Sequence, residues 1–125
     1  MEVHVDPSWI LQVAEFAGAG DPAVDDYGVP IAACARHQGE LLGVPVYDGA
    51  FARAAALVHT LGCCRWLERS NLAVAAATGV MYLEASGISV KPTQDHVKDL
   101  AALMMDKNCT AEDVAELLRT WPTVT

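Results

Sequence analysis

A cluster of charged and amide side chains lies midway along the chain, directly before a long uncharged segment. The cluster consists of Arg65, Glu68, Arg69, Ser70 and Asn71. Guanidinium groups and the free backbone N–H groups at the start of a helix are donors for phosphate or carboxylate. We therefore predict an anion-binding site made by the two arginines, the serine and the asparagine. The alternative is an internal ion pair between Glu68 and an arginine, which would only shape the loop.

The uncharged segment predicts a buried helix. Residues 72–83 are too few to cross a bilayer, which takes about 20 apolar residues, but they suffice for a helix covered on nearly every side. Ser70 or Asn71 can cap its first turn, and Ala76 and Gly79 are small enough to let neighbouring helices approach closely. We predict that this helix is the centre of the fold.

Capping residues and apolar periodicity predict further helices on both sides. Asp6-Pro7 begins the first, whose apolar face should include Phe16, and Thr93 and Thr110 begin the last two. The predicted helices cover residues 7–16, 29–36, 49–61 behind an Asp48 cap, 93–104 and 110–118. The expected fold is one all-α domain over residues 1–125, with about six helices.

A short segment between the second and third helices does not fit a helix. Residues 38–47 contain two glycines and a proline, and the valines and tyrosine near the end of the segment favour extended backbone. We predict an exposed flap with which another chain can pair its backbone. The predicted contact residues are Gln38, Val44, Val46 and Tyr47, and the two valines should be more exposed than their hydrophobicity suggests.

Composition narrows the classes of partner. The chain has 125 residues, 53% of them hydrophobic, and a formal net charge of −8. Nucleic acids and anionic membranes require a basic face, so we expect neither as a partner. Polar residues at positions 2, 4 and 6 interrupt any apolar leader, which favours a bacterial-type cytoplasm.

The cysteines and histidines give no catalytic or metal pattern. The four cysteines lack Cys-x-x-Cys spacing, so we expect reduced and mostly buried thiols and no metal site. His59 should be a partly buried histidine with a satisfied ring, whereas His4, His37 and His96 should be exposed. No serine or cysteine nucleophile is spaced with a histidine in a known catalytic order.

Several segments, in order, resemble the landmarks of the Doc toxins, a short bacterial branch of the Fic family. They are residues 27–38, Tyr47, residues 53–61 and residues 83–87. Between the last two landmarks that family has His-Pro-Phe-x-Asp-Gly-Asn-Lys-Arg. On the same spacing this chain has Arg65-Trp66-Leu67-Glu68-Arg69-Ser70-Asn71-Leu72-Ala73, so only the asparagine is kept. The resemblance therefore implies a Fic/Doc-like helical bundle with a degenerate motif.

The substituted positions are those on which the family's chemistry depends. By this resemblance the histidine that takes the proton from the target hydroxyl falls on Arg65, and the metal-binding acid falls on Arg69. The lysine and arginine that hold the ATP phosphates fall on Leu72 and Ala73. A guanidinium cannot serve as a general base because its pKa stays above about 12. We therefore expect the family's transfer reaction to be lost.

The family transfers AMP or a phosphoryl group from magnesium ATP to a protein hydroxyl, and its members pair with antitoxins. The resemblance thus implies a toxin component with a cognate antitoxin and a protein target, acting here by binding a protein or a nucleotide such as ATP without magnesium. Two alternatives stay open. One is an active transferase with a rebuilt site in which Glu68 holds a metal, and the other is a non-toxic regulatory binding partner.

Overall fold

The computed structural model describes residues 3–122 and shows six α-helices and one small β-hairpin in that part of the chain. The helices are α1 (Pro7–Ala17), α2 (Gly28–His37), α3 (Ala50–Cys63), α4 (Asn71–Ala85), α5 (Gln94–Met104) and α6 (Ala111–Leu118). The strands β1 (Glu40–Leu41) and β2 (Val44–Pro45) pair antiparallel between α2 and α3. The predicted all-α fold is confirmed. Within residues 3–122, none of the helices combines the length and apolar character needed to cross a membrane.

Most of the predicted helix starts are confirmed. The Asp6 carboxylate accepts from the N–H of Trp9 at 3.0 Å, and Thr93 and Thr110 both form capping boxes. The Asp48 cap is wrong, because Gly49 is the N-cap residue of α3 and adopts a φ of 90°. That left-handed residue turns the chain so that Asp48 lies outside the helix, with its side chain 92% exposed.

The helix with the widest packing is α3, which contacts α2, α4, α5 and α6, so the prediction that α4 is the centre of the fold is wrong. Helix α4 packs against α3, α1 and α5, and Ala76 and Gly79 are both buried as expected. A methyl group added at Gly79 would lie 2.4 Å from Cγ2 of Val58 in α3, so the absence of a side chain permits the close approach of the two helices. Glycine at this position is therefore a packing requirement.

The side of α4 away from α3 is incompletely covered. Ala73 is exposed, and Ala77, Val80 and Met81 are only half-buried. Together with Phe16 of α1 and Val97 of α5 they line an apolar groove of about 330 Å³. The prediction that Phe16 lies on the buried face of α1 is wrong, since Phe16 is 67% exposed at the edge of this groove.

The hairpin β1–β2 forms the predicted flap. Leu42 and Gly43 make its two-residue turn with φ angles of 54° and 80°. Val44 and Val46 are 64% and 56% exposed, and Leu42 is 97% exposed. The expected exposure of the two valines is confirmed.

The prediction that His37 is exposed is wrong. His37 is 1% exposed and its Nε2 accepts from the N–H of Val5 at 3.1 Å. Tyr82 of α4 packs edge-on against its ring, with the ring centroids 5.0 Å apart. Val29, Ala33 and His37 recur every fourth residue, so the last turn of α2 places the histidine on the same buried face as the two aliphatic residues.

Candidate functional site

The loop between α3 and α4 carries the charged cluster and is anchored by two apolar side chains. Trp66 and Leu67 are both 0% exposed, although they lie in a loop between polar residues. The Trp66 carbonyl accepts from the N–H groups of Asp25 and Asp26 at 2.7 and 3.2 Å. Two side chains of the loop therefore pack into the core, and its backbone is hydrogen-bonded to the segment between α1 and α2.

Asn71 organises this loop through its side chain. Its Oδ1 accepts from the N–H groups of Trp66 and Leu67 at 3.1 and 3.0 Å, and its Nδ2 donates to the Leu67 carbonyl at 2.9 Å. Buried backbone groups need such partners because leaving one unpaired costs about 1–3 kcal/mol. The amide of Asn71 thus holds the loop closed over the start of α4.

Ser70 adopts the left-handed backbone conformation, with φ 66° and ψ 22°. Glycine is favoured in this region because it lacks a Cβ atom, and glycine is the residue that the resembled motif has at this position. The Ser70 hydroxyl accepts from the N–H of Ala19 at 3.1 Å and caps none of the N–H groups in the first turn of α4. Neither Ser70 nor Asn71 caps α4 with its side chain, which corrects that expectation.

The guanidinium of Arg69 is committed to its own chain. Its Nε donates to the Ala19 carbonyl at 2.6 Å, its Nη2 donates to the Gly20 carbonyl at 2.8 Å, and its Nη1 pairs with the Glu68 carboxylate. The ion pair between Glu68 and an arginine that the sequence offered as the alternative is therefore present. Arg69 therefore connects the loop between α3 and α4 to the turn after α1.

Arg65 is the more available of the two arginines. It is exposed, and the hydrogen bond from its Nη2 to the Glu68 carbonyl is long, at 3.4 Å. The Ser70 side chain does not cap α4, and first-turn backbone N–H groups of a helix are the usual donors to an anion. Arg65 and those N–H groups are what the fold leaves for the predicted anion site, which stays a prediction.

The two arginines of the loop are hydrogen-bond donors and not proton acceptors. Arg65 and Arg69 are permanently charged donors and cannot accept a proton at neutral pH. Among residues 3–122 no three histidine, cysteine, aspartate or glutamate side chains are grouped so that they could hold a metal ion. The arrangement can bind an anion or shape a surface, and it offers no proton acceptor at the position of Arg65.

Two of the predicted flap residues have structural partners. The Gln38 side chain donates to the Val5 carbonyl at 3.1 Å, and the Tyr47 hydroxyl accepts from Nε of Arg36 at 2.7 Å. Tyr47 is half-buried at the base of the hairpin, whereas Val44 and Val46 stay exposed. The valines therefore form the free surface of the flap, and the glutamine and tyrosine fasten it.

A half-buried hydrogen-bond network around Arg36, which includes Tyr47 at the base of the flap, was not predicted from the sequence. Besides Tyr47, the Arg36 guanidinium contacts Nδ1 of His59 at 2.7 Å and donates to the Thr60 hydroxyl at 3.1 Å. Nε2 of His59 lies 2.8 Å from the Cys109 carbonyl, so the ring nitrogens of this partly buried histidine are both satisfied, as predicted. These groups come from segments far apart in the sequence, so no local sequence pattern predicts their contact.

The thiols are all reduced, but only half of them are buried. Cys34 and Cys109 are buried, whereas Cys63 and Cys64 are exposed at the end of α3. Burial raises the pKa of the Cys34 thiol to about 11, and the negative charge of Asp6 adds to that effect. Cys34 is therefore an unreactive core residue, and the expectation of mostly buried thiols is wrong for the pair at the end of α3.

The fold is an all-α bundle with a small exposed hairpin, which is consistent with a Fic/Doc-like bundle. The chain is similar to a protein named Toxin Doc from Mycolicibacterium smegmatis, with 28% identity over 117 residues. The similarity covers 92% of this chain and 90% of that protein. No protein-family model matches the chain.

Proposed function

We propose that this chain is a Doc-like toxin component of a toxin–antitoxin pair that acts by binding and has lost the family's transfer of AMP or a phosphoryl group. The observation that carries the proposal is the sequence of the loop before α4, in which, by the resemblance, Arg65 and Arg69 fall on the positions of the family's base and metal-binding acid. Similarity to Toxin Doc over 92% of the chain supports the toxin–antitoxin part.

The chemical part of the proposal follows from what each substitution removes. Loss of a general base typically slows a reaction by a factor of about 10² to 10⁴. Loss of a phosphate clamp at Leu72 and Ala73 removes electrostatic stabilisation of comparable size. Arg69 fills its position with a guanidinium that binds the Ala19 and Gly20 carbonyls, so this side chain now has a structural role. What remains is a folded scaffold with binding surfaces.

The apolar groove along α4 supports an antitoxin partner. Its lining side chains are all apolar, it measures about 330 Å³, and Phe16 at its edge is 67% exposed. An amphipathic helix that places apolar side chains at i, i+3 and i+4 would fit such a groove. The groove begins at Ala73, in the first turn of α4, so an acidic residue on the same partner could reach the exposed Arg65.

The flap supports a second contact, with an extended segment of a target protein. Leu41 and Val44 flank the two-residue turn and face each other, so the backbone groups of Glu40 and Pro45 point outward. Pro45 has no N–H to donate, which weakens the outer edge of β2 for strand pairing. The edge of β1 at Glu40 is therefore the side on which we expect a target backbone to pair.

The proposal also includes nucleotide binding, limited to contacts with a phosphate group and without magnesium. Arg65 and the uncapped N–H groups of α4 could hold a phosphate of ADP or ATP without magnesium. Each charge-assisted contact there is worth about 1.5–3 kcal/mol when shielded from water and less at this exposed loop. Binding of ADP that weakens with salt and is lost in Arg65→Ala would support this part.

Co-expression with the product of the neighbouring gene tests the proposed partnership. We expect the two proteins to copurify, and we expect growth inhibition by this chain alone to be relieved by the partner. Ala77→Asp in the groove should disrupt copurification, whereas Asn108→Asp, which adds the same charge on the exposed loop before α6, should not. Equal copurification of both variants would show that the groove is not the docking site.

A further inference from the structure

The two faces of the hairpin β1–β2 have different surroundings. Side chains alternate between the faces of a strand, so Leu41, Val44 and Val46 share one face, and Glu40 and Pro45 share the other. Glu40 and Pro45 line a narrow cavity at the base of the hairpin, so theirs is the inner face. Leu41, Val44 and Val46 are 70%, 64% and 56% exposed. The outer face is therefore apolar and open to solvent.

The free edge of β1 presents the two backbone groups of Glu40. The N–H of Val46 donates to the Gly39 carbonyl at 2.9 Å, and Leu41 pairs with Val44, so Glu40 lies between two hydrogen-bonded pairs. In an antiparallel ladder a residue in that position directs its N–H and C=O away from the partner strand. Within residues 3–122 neither group has a hydrogen-bond partner. An added strand can therefore pair one of its residues with Glu40 through two hydrogen bonds.

The side chain of Glu40 favours one kind of strand at this edge. Glu40 carries the one charge in residues 38–47, and it is exposed. His4 and Arg53 line the same cavity, but the Nη2 of Arg53 lies 3.9 Å from the Asp48 carboxylate, and neither cation forms an ion pair with Glu40. Opposite charges that face each other across two strands stabilise the pairing, and like charges oppose it. A second copy of this chain would place Glu40 against Glu40, so the charge favours a strand with a basic residue.

We propose that the target segment that pairs with β1 carries a lysine or arginine between two apolar residues. This inference rests on the target contact of the proposed function and names the chemistry of that segment. The basic residue lies opposite Glu40 on the inner face and exchanges both backbone hydrogen bonds with it. Its two neighbours then lie on the outer face. The preceding one packs against Leu41, and the following one reaches across Gly39, which has no side chain, toward Val46.

Two peptides that differ at one residue test the role of the charge. The first is acetyl-Thr-Val-Lys-Phe-Thr-amide, and the second has glutamate in place of lysine. We expect the lysine peptide to shift the backbone amide NMR signals of residues 39–44, and the glutamate peptide to bind about fivefold more weakly. Glu40→Lys should reverse this order of affinity. Glu116→Lys makes the same charge change on the exposed side of α6 and should keep the order. An unchanged order in Glu40→Lys would overturn the proposal.

Backbone methylation of the lysine peptide tests the register of the pairing. A methyl group on the lysine nitrogen removes the donor to the Glu40 carbonyl and should weaken binding about tenfold or more. A methyl group on the phenylalanine nitrogen should change the affinity less than about twofold, because that N–H points away from β1. Equal losses from the two methyl groups would overturn the pairing of the basic residue with Glu40.

The possible outcomes separate this inference from the proposed function. If both peptides shift the signals of the hairpin with equal affinity, the hairpin docks an extended segment, and the preference for a basic residue is overturned. If neither peptide shifts these signals at millimolar concentration, this inference and the proposed target contact are both overturned. The antitoxin partnership is measured independently by copurification, and the loss of the transfer reaction is measured by labelling with ATP.

Discussion

Asn71, the residue that the loop shares with the resembled motif, holds the backbone of the loop in shape. Its amide makes three hydrogen bonds to the backbone of Trp66 and Leu67, all within 3.1 Å. Ser70 keeps the left-handed conformation of a glycine position, and Arg69 has taken up contacts to the turn after α1. The loop geometry therefore depends on the asparagine, whatever reaction the loop supports.

A buried histidine gives a stability prediction at the same scale. Burial lowers the pKa of His37 from 6.5 to about 4. The unfolded chain then binds this proton at a higher pH than the folded chain. Stability that is present above about pH 6.5 is therefore lost as the pH falls toward 4. We expect the free energy of unfolding, measured by urea denaturation, to fall by up to about 3 kcal/mol across this window.

The control for this prediction is a second histidine. His37→Gln keeps an acceptor for the Val5 N–H and should flatten the pH dependence between about pH 5 and 6.5, where carboxylates contribute little. His96→Gln retains the capping box of α5, because glutamine serves at that position, and shows what replacement of a histidine outside the core does to the slope. An unchanged slope in His37→Gln would assign the pH dependence to other groups.

The contact between α3 and α4 gives a packing prediction at the scale of the element. Gly79→Ala places a methyl group 2.4 Å from Cγ2 of Val58, which is fully buried, and should reduce the free energy of unfolding by about 1–3 kcal/mol. Val58→Ala alone should also destabilise the protein, through a cavity. In the double variant the added methyl group enters the space left by valine. The double variant should therefore lose less unfolding free energy than the two single variants lose together. Strict additivity in thermal or urea unfolding would contradict the packing account.

The flap gives a prediction in which stability and binding change in opposite directions. Leu42 occupies a left-handed position, φ 54°, and is 97% exposed, so its side chain stabilises nothing in the folded chain. Leu42→Asn should raise the free energy of unfolding by about 1 kcal/mol, because asparagine tolerates this conformation. If the hairpin tip contacts a target, the same variant should weaken target binding. If Leu42→Asn is more stable and binds the target as well as the original chain does, the hairpin tip is not part of the contact, and only Val44 and Val46 remain as candidates.

At the scale of the elements, the sequence predicted most of the fold. The helix starts at Asp6, Thr93 and Thr110 are local signals of capping, and the exposed hairpin follows from glycine and proline. The start of α3 was misplaced because Gly49 takes a conformation that no neighbour dictates. The burial of His37 was missed because a histidine on an otherwise aliphatic helix face gives only a weak signal against its usual exposure.

The site was less predictable than the fold. The sequence placed Arg65, Glu68 and Arg69 in one loop, but it could not show that Arg69 reaches back to Ala19, about 50 residues earlier in the chain. The Arg36 network likewise depends on contacts between distant segments. Spacing along the chain reveals helix faces and caps, whereas such contacts are fixed only by how the helices pack.

For the whole molecule, the central claim is that a Doc-like fold remains while the transfer reaction is lost. The most direct measurement incubates the purified chain with magnesium and radiolabelled ATP, in separate reactions labelled at the α- and γ-phosphate, together with a cell extract. A relative with an intact motif serves as the positive control. The account predicts no label on protein where the relative gives strong labelling, because no base stands at Arg65 and no phosphate clamp at Leu72 or Ala73. Incorporation of label that disappears in Glu68→Ala would contradict it, since that result would mean a rebuilt active site.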